Sequence, residues 1–159
     1  MPKITNFLWF DHQAEQAARF YTGVFPNSRI VGTTHHGSAG PGSDRSVMTV
    51  EFELDGTPFV ALNGGPQKFR FDESISFQVD CRDQDEVDAY WSALTDGGEE
   101  GPCGWLKDKY GVSWQVTPTR LTELTGSPDP ETAQRAMNAM FEMTKIDIAA
   151  LERAVATGS

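Results

Sequence analysis

The chain has 159 residues, of which 38% are hydrophobic and 23% are charged, a composition typical of one soluble globular domain with a sizeable core. Its formal net charge of -10 argues against nucleic acid or an anionic membrane as a partner, because both require clustered Lys and Arg. Cys81 and Cys103 form no Cys-x-x-Cys pair, no secretory leader precedes Ile4, and no apolar run reaches membrane-spanning length. We therefore expect a reduced, cytoplasmic setting.

The first part of the chain predicts a strand, a helix and three more strands. Residues 4–10 are apolar at nearly every position, which is typical of a central strand covered on both faces. The helix follows from apolar residues at i, i+3, i+4 spacing, namely Ala14, Ala17, Ala18, Tyr21 and Val24. Strands are predicted over 28–36, 46–54 and 57–63, with a hairpin turn at Asp55-Gly56 and a flexible Gly- and Ser-rich loop over 37–44.

The same order of elements is predicted again further along. A strand over 74–80 precedes a helix over 83–94, with Asp83 as its N-cap and Glu86 as capping-box partner. A short strand near 99–103 leads into a hairpin whose turn, 108–111, uses Gly111 for its left-handed residue. An offset of about 70 residues places Phe20-Tyr21 over Tyr90-Trp91, and with them Phe7 over Phe77 and Leu8 over Gln78.

We therefore predict an α+β fold in a single domain, built from two βαβββ modules. Two curved mixed sheets would enclose a cleft, with a helix on the outer side of each sheet. Module one spans about 1–67, module two about 68–118, and a C-terminal helical extension about 119–159. Met137, Met140 and Phe141 lie in this extension, and such a stripe is typical of core or oligomer packing.

Several segments together resemble a known protein family. They are Leu8-Trp9-Phe10-Asp11, Phe25-Pro26-Asn27-Ser28, Ala61-Leu62-Asn63-Gly64-Gly65-Pro66, Ile75-Ser76-Phe77-Gln78-Val79-Asp80 and Cys103-Gly104-Trp105-Leu106. These segments resemble the PhnB-like family, also labelled the 3-demethylubiquinone-9 3-methyltransferase domain family. It belongs to the vicinal oxygen chelate superfamily, with glyoxalase I and the bleomycin resistance proteins. The resemblance covers essentially the whole chain, and it implies the paired βαβββ fold, commonly in a homodimer.

The resemblance also implies where a metal would bind. Enzymes of the superfamily hold a divalent ion with His, Glu or Gln, and the matching positions are near Asn6, at Ser74 and at Gln115. A fourth position falls among Val60, Ala61 and Asn63 without being fixed. Neutral Asn, Ser and Gln are weak ligands for a transition metal. His12 follows a strand end, and His35 and His36 are adjacent on a strand and so point to opposite faces, so we expect no metal and no other cofactor.

Polar and apolar side chains alternate along two strands of module two. Ser74, Ser76, Gln78 and Asp80 share one face of the first, and Ser113, Gln115 and Thr117 share one face of the second. Such faces are often only solvated, and Trp9 and Trp105 are as compatible with a core as with a site. If the sheets curl, however, these faces line one groove, as a small-molecule site requires. The predicted ligand-binding residues are Trp9, Asn63, Ser76, Gln78, Cys103, Trp105, Ser113 and Gln115.

The leading interpretation is a homodimeric protein that binds a small molecule without the usual metal, with no catalytic residue identified. One alternative is a metal-dependent lyase, isomerase or dioxygenase using other ligands, such as Glu51, Asp80 or His36. Another is a dimeric drug-sequestering protein of the resistance type. Methyl transfer gains no support, since a methyl-donor site of the usual kind needs a Gly-rich turn between a parallel strand and a helix. The Gly-rich segment 37–42 leads into another strand instead.

Overall fold

The fold is that of a computed structural model, which describes residues 3–37 and 46–156. Most of the loop predicted over 37–44 therefore lies outside the described residues. The chain divides into two compact units, Met1–Phe69 and Arg70–Ser159. The C-terminal helices belong to the second of these units.

The first unit is a βαβββ module with one helix-covered sheet. Its elements are β1 (Asn6–Phe10), α1 (Ala14–Val24), β2 (Arg29–His35), β3 (Val47–Leu54) and β4 (Thr57–Asn63). The strand order is β1-β4-β3-β2, with β1 parallel to β4 and the other pairs antiparallel. Four residues of the predicted apolar stripe of α1 are buried and the fifth, Val24, is half-buried. Tyr21 stacks on Phe52 of β3 at a centroid distance of 6.2 Å.

The second unit repeats this topology and adds three helices. Its sheet contains β5 (Ser76–Cys81), β6 (Glu99–Glu100), β7 (Trp105–Lys107) and β8 (Ser113–Pro118), in the order β5-β8-β7-β6. The helix α2 (Gln84–Thr95) connects β5 to β6, and α3 (Thr119–Thr125), α4 (Pro130–Phe141) and α5 (Ile148–Ala156) follow β8. The duplicated βαβββ arrangement and the α+β class are thus confirmed.

The start of α2 is capped as predicted at Asp83 but not at Glu86. The side chain of Asp83 accepts a hydrogen bond from the N–H of Glu86 at 2.9 Å. In a capping box, the Glu86 carboxylate would accept from the N–H of Asp83. Here it accepts instead from the N–H of Arg82, at 2.8 Å, and from the Arg82 guanidinium. The Glu86 carboxylate therefore binds the backbone N–H of the residue before the N-cap, rather than that of the N-cap itself.

The prediction that the first strand is central and covered on both faces is wrong. β1 forms one edge of its sheet, and only Leu8 and Phe10 are buried, on the side of α1. On the opposite face Phe7 is 61% exposed and Trp9 39%. Trp9 donates from Nε1 to the carbonyl of Gly65 at 3.1 Å, within its own unit. An apolar run alone does not distinguish an edge strand from a central one.

The predicted overlay of the two first strands is also wrong, although the helices do match. Leu8 is buried whereas Gln78 is exposed, and Phe7 is exposed whereas Phe77 packs on Trp114 at 5.4 Å. The connection from strand to helix is 11–13 in the first module and 82–83 in the second, so it is one residue longer in the first. A single offset that aligns the helices therefore exchanges the faces of the strands.

The C-terminal helices have a small core of their own. It is formed by Leu121, Leu124, Ala136, Ile146 and Leu151, with Met140 and Met143 packed against it. Part of the predicted methionine stripe is therefore internal packing, whereas Phe141 is 62% exposed. None of the helices in the described ranges combines the length and the apolar character that crossing a membrane would need.

Candidate functional site

The sheet of the second unit has one apolar face and one polar face. Phe77, Val79, Trp114 and Val116 alternate along β5 and β8 with the polar residues. Because neighbouring residues of a strand point to opposite sides, Ser76, Gln78, Ser113 and Gln115 share the other side, which we call the polar face. This alternation is the one predicted from the sequence.

The strand register brings five of the predicted site residues together on this polar face. Trp105 of β7 lies opposite Gln115 of β8, which lies opposite Gln78 of β5. In the adjacent row, Lys107 lies opposite Ser113, which lies opposite Ser76. Residues paired in this way are direct cross-strand neighbours, so the two rows form one continuous patch.

Hydrogen bonds within the patch orient its amides. Gln115 donates from Nε2 to the hydroxyl of Ser76 at 2.9 Å, and Gln78 donates from Nε2 to a carboxylate oxygen of Asp80 at 2.7 Å. No described residue donates to the amide oxygen of Gln115. This oxygen is an acceptor that the sheet itself leaves open.

Ser113 and Trp105 carry polar groups that the described part of the protein does not satisfy. Ser113 is 1% exposed, yet its hydroxyl oxygen has no hydrogen-bond partner among the described residues. Buried polar atoms are nearly always paired, so each exception calls for a reason. The indole N–H of Trp105 likewise reaches no described acceptor, whereas those of Trp9, Trp91 and Trp114 each have one.

Both residues line a pocket of about 160 Å³ beside β6 and β7. The wall is formed by Glu73, Glu99, Glu100, Gly101, Pro102, Trp105, Leu106, Lys107 and Ser113. Lys107 forms an ion pair with Glu73 across the pocket wall. The hydrogen bond from the Lys107 ammonium lowers the pKa of Glu73, and the same bond raises the pKa of Lys107.

Sequence reasoning missed the charged residues of this pocket. Lys107 had a partial signal, because it immediately precedes the predicted turn at 108–111. Counting outward from that turn would pair it with Val112, but the connection is one residue longer and pairs it with Ser113, and Glu99 lies opposite Lys107 on β6. The predicted short strand near 99–103 is shorter in the structure and ends at Glu100. Glu73 has no such signal, because it precedes β5 and reaches the pocket only through the tertiary fold.

The remaining predicted residues lie elsewhere. Asn63 accepts from the N–H of Ala14 at 2.9 Å and donates to the carbonyl of Val47 at 3.0 Å, so its amide joins elements of the first module. Trp9 also belongs to that module. Cys103 lies in the tight turn before β7 with a φ of 59°, and its N–H donates to the carbonyl of Met143 at 2.8 Å. None of these three residues lines the pocket.

The positions matched to the superfamily's metal ligands do not fit a divalent ion. Asn6 shares the helix-covered side of β1 with Leu8 and donates to the carbonyl of Pro58 at 3.2 Å. Ser74 bonds to Asp72 through both its N–H and its hydroxyl, and Gln115 donates to Ser76. In residues 3–37 and 46–156 no group of three or more His, Cys, Asp or Glu side chains is placed to hold a metal.

The thiol of the second cysteine, Cys81, is buried and unreactive. Burial raises the pKa of Cys81 to about 12, with a further contribution from the carboxylate of Glu86. The reactive form of a cysteine is the thiolate. Cys81 is therefore protonated at neutral pH and acts as a packing residue.

Comparison with known proteins places the chain among relatives of one kind. A family profile described as 3-demethylubiquinone-9 3-methyltransferase matches residues 2–117. A PhnB protein from Bacillus cereus is 35% identical, with a TM-score of 0.66 over 74% of this chain and 99% of that one. Protein PA1353 from Pseudomonas aeruginosa is 18% identical, with a TM-score of 0.63 over 74% and 98% of the two chains. No curated protein sequence matches.

A more distant structure has the same fold. The fosfomycin resistance protein FosX from Listeria monocytogenes, in its hexagonal form, is 12% identical, with a TM-score of 0.50 over 74% of this chain and 93% of that one. At this level of identity the likeness concerns the fold alone. It supports the paired βαβββ architecture described above.

Proposed function

Since the chain belongs to the 3-demethylubiquinone-9 3-methyltransferase family of PhnB-like proteins, within the vicinal oxygen chelate superfamily, we propose that it binds a small molecule on the polar face of its second module. Trp105, Ser113 and Gln115 would contact the ligand, with the hydroxyl of Ser76 orienting the amide of Gln115 and Asp80 orienting that of Gln78. Binding would not use the metal of the superfamily, because the matched residues are neutral and are engaged with neighbouring groups.

The observation that carries this proposal is the unpaired hydroxyl of Ser113. A buried hydroxyl without a partner costs about 1–3 kcal/mol relative to one that is hydrogen-bonded. Ser113 lies in the wall of a concave pocket beside an aromatic ring, and small-molecule sites combine such walls with a few placed polar groups. A ligand that bonds to this hydroxyl would remove the cost.

Methyl transfer does not form part of the proposal. A nucleotide-type methyl donor is usually held by a Gly-rich turn between a parallel strand and the helix that follows. In this chain the corresponding connections are Asp11-His12-Gln13 and Arg82-Asp83, and neither contains glycine. The family label alone therefore does not carry that activity to this protein.

A thermal-shift screen of small polar and aromatic compounds tests the proposal. A ligand that binds only the folded protein raises the melting temperature, and the increase should vanish in Ser113→Ala. Ser127→Ala is the matched control, because Ser127 lies in the same unit and accepts a hydrogen bond from the N–H of Asp129 outside the pocket. A hit that stabilises Ser113→Ala as strongly as the wild type would contradict the proposed site. Hits that require added zinc or manganese would favour a metal-dependent enzyme instead.

Homodimer formation also stays a prediction. The C-terminal helices are expected to supply the dimer surface. At the end of α4, the ring of Phe141 is exposed and is not covered by its own unit. Light scattering at micromolar concentration should give the mass of a dimer. A monomer mass would refute the prediction without affecting the proposed pocket.

A further inference from the structure

We propose that the pocket beside β6 and β7 selects a small organic cation, namely a primary or secondary ammonium compound. The ammonium would lie between the carboxylate of Glu99, the ring of Trp105 and the hydroxyl of Ser113. This inference rests on the proposed function and adds the chemical class of the ligand.

The charge of the pocket favours a cation. Its wall contains three carboxylates, from Glu73, Glu99 and Glu100, against the single ammonium of Lys107, which leaves two net negative charges. Lys107 is paired with Glu73, and Glu100 accepts the indole N–H of Trp91 at 2.9 Å. The side-chain carboxylate of Glu99 has neither a hydrogen bond nor a close ion pair with any described residue. Lys107, its cross-strand neighbour, attracts it only through space while pairing directly with Glu73, so Glu99 is the carboxylate left for a ligand. A ligand anion would find the one ammonium of the wall already occupied.

The neutral groups of the wall are suited to the same ligand. An ammonium group is purely a hydrogen-bond donor, and the unpaired oxygen of Ser113 offers lone pairs. The face of an indole attracts a cation through its quadrupole, most strongly where water is partly excluded. Trp105 and Ser113 are diagonal neighbours on adjacent strands, since Trp105 pairs with Gln115 and Lys107 with Ser113. One ligand can therefore reach both residues.

The size of the pocket limits the ligand to a small molecule. Its volume of about 160 Å³ is close to the roughly 150 Å³ of an apolar cavity that accommodates benzene. Straight-chain compounds with a four-carbon tail are therefore suitable probes. Butylamine, 1-butanol and butyrate share this tail and differ in charge, being cationic, neutral and anionic at neutral pH.

Titration of the full-length protein with these three probes tests the inference, with the indole N–H signal of Trp105 followed by NMR. That signal is assigned by its loss in Trp105→Phe. We expect butylamine to bind about tenfold more tightly than 1-butanol or butyrate, a difference that corresponds to about 1.4 kcal/mol. Added salt should weaken butylamine binding, because charge attraction at an open pocket is screened.

Matched variants distinguish an effect of the Glu99 charge on binding from a general effect of the substitution on folding. Glu99→Gln should weaken butylamine binding about five- to tenfold and leave 1-butanol binding unchanged, whereas Glu142→Gln, an exposed carboxylate outside the pocket, should change neither. Equal binding of the three probes, or no effect of Glu99→Gln, would overturn the cation assignment. If the screen nevertheless finds a neutral or anionic ligand that depends on Ser113, the proposed function stands. If no compound binds in a Ser113-dependent way, both proposals fail.

Discussion

Replacing Ser113 with alanine should stabilise the ligand-free protein. The hydroxyl is buried without a partner, and removing such a group relieves a cost of about 1–3 kcal/mol. The void left by one hydroxyl, on the order of 15 Å³, costs about 0.4 kcal/mol at roughly 24 cal/mol per Å³. The net gain is therefore about 0.6–2.6 kcal/mol. For a chain of this size, each 1 kcal/mol of added stability raises the melting temperature by about 2–4 °C.

Calorimetric melting and urea denaturation measure this effect directly. The control Ser127→Ala removes a hydroxyl that does accept a hydrogen bond, so it should lower the free energy of unfolding by about 0.5–1.5 kcal/mol. Opposite signs for two Ser→Ala changes in the same unit would be hard to obtain from any general effect of the substitution. If Ser113→Ala instead loses about 1 kcal/mol, the hydroxyl has a partner in the free protein, such as an ordered water. The proposed site would then lose the unpaired hydroxyl on which it depends.

Three further predictions concern the same unit. Asp108→Ala should cost about 3 kcal/mol or more in urea denaturation, because the buried carboxylate accepts from two backbone N–H groups and from the indole of Trp114; a loss below about 1 kcal/mol would contradict this. Gln115→Glu should gain little affinity for zinc or manganese in calorimetric titration, since one carboxylate alone does not complete a metal site; tight metal binding by this variant would reveal a latent site. Gln115→Ala should weaken ligand binding by about 1–3 kcal/mol, because a hydrogen bond to the ligand is lost. Hydrogen bonds from Lys145 and then from Gln84 lower the pKa of Asp88 below its ordinary 3.8, so the stability it contributes is present above that value and is lost as the pH falls through the lowered pKa. The melting temperature should therefore fall in acid less steeply for Asp88→Asn than for the wild type, and equal slopes would argue against this pairing.

Local features of the sequence determined the secondary structure and the polar face. Alternation of side chains along a strand is a property of the strand itself, so Ser113 and Gln115 were placed on one side without knowledge of any neighbour. The left-handed residue of the hairpin turn was likewise predictable, and Gly111 has a φ of 92°. The N-cap at Asp83 follows from the same kind of short-range chemistry.

The side of a strand that meets a helix depends on connection length, and one residue is enough to change it. The first module has an additional residue between β1 and α1, which sets Leu8 rather than Phe7 on the helix side. The amide of Asn63 was predicted to face a ligand, but the fold directs it to Ala14 at the start of α1. An apolar residue in β1 or an amide at Asn63 has the same residue type and periodicity whichever side of the sheet it faces. Neither property therefore predicts which side meets the helix.

The pocket itself was decided only by the tertiary structure. Ser113 reads from the sequence as an ordinary polar strand residue, whereas in the structure its hydroxyl is buried and unpaired. It shares a pocket wall with Glu73, Glu99 and Lys107, which come from separate segments. Asp108 reads as a turn residue, yet the fold buries it as the acceptor for the indole of Trp114. Burial and hydrogen-bond satisfaction depend on contacts between residues distant in the chain, and no local pattern encodes them.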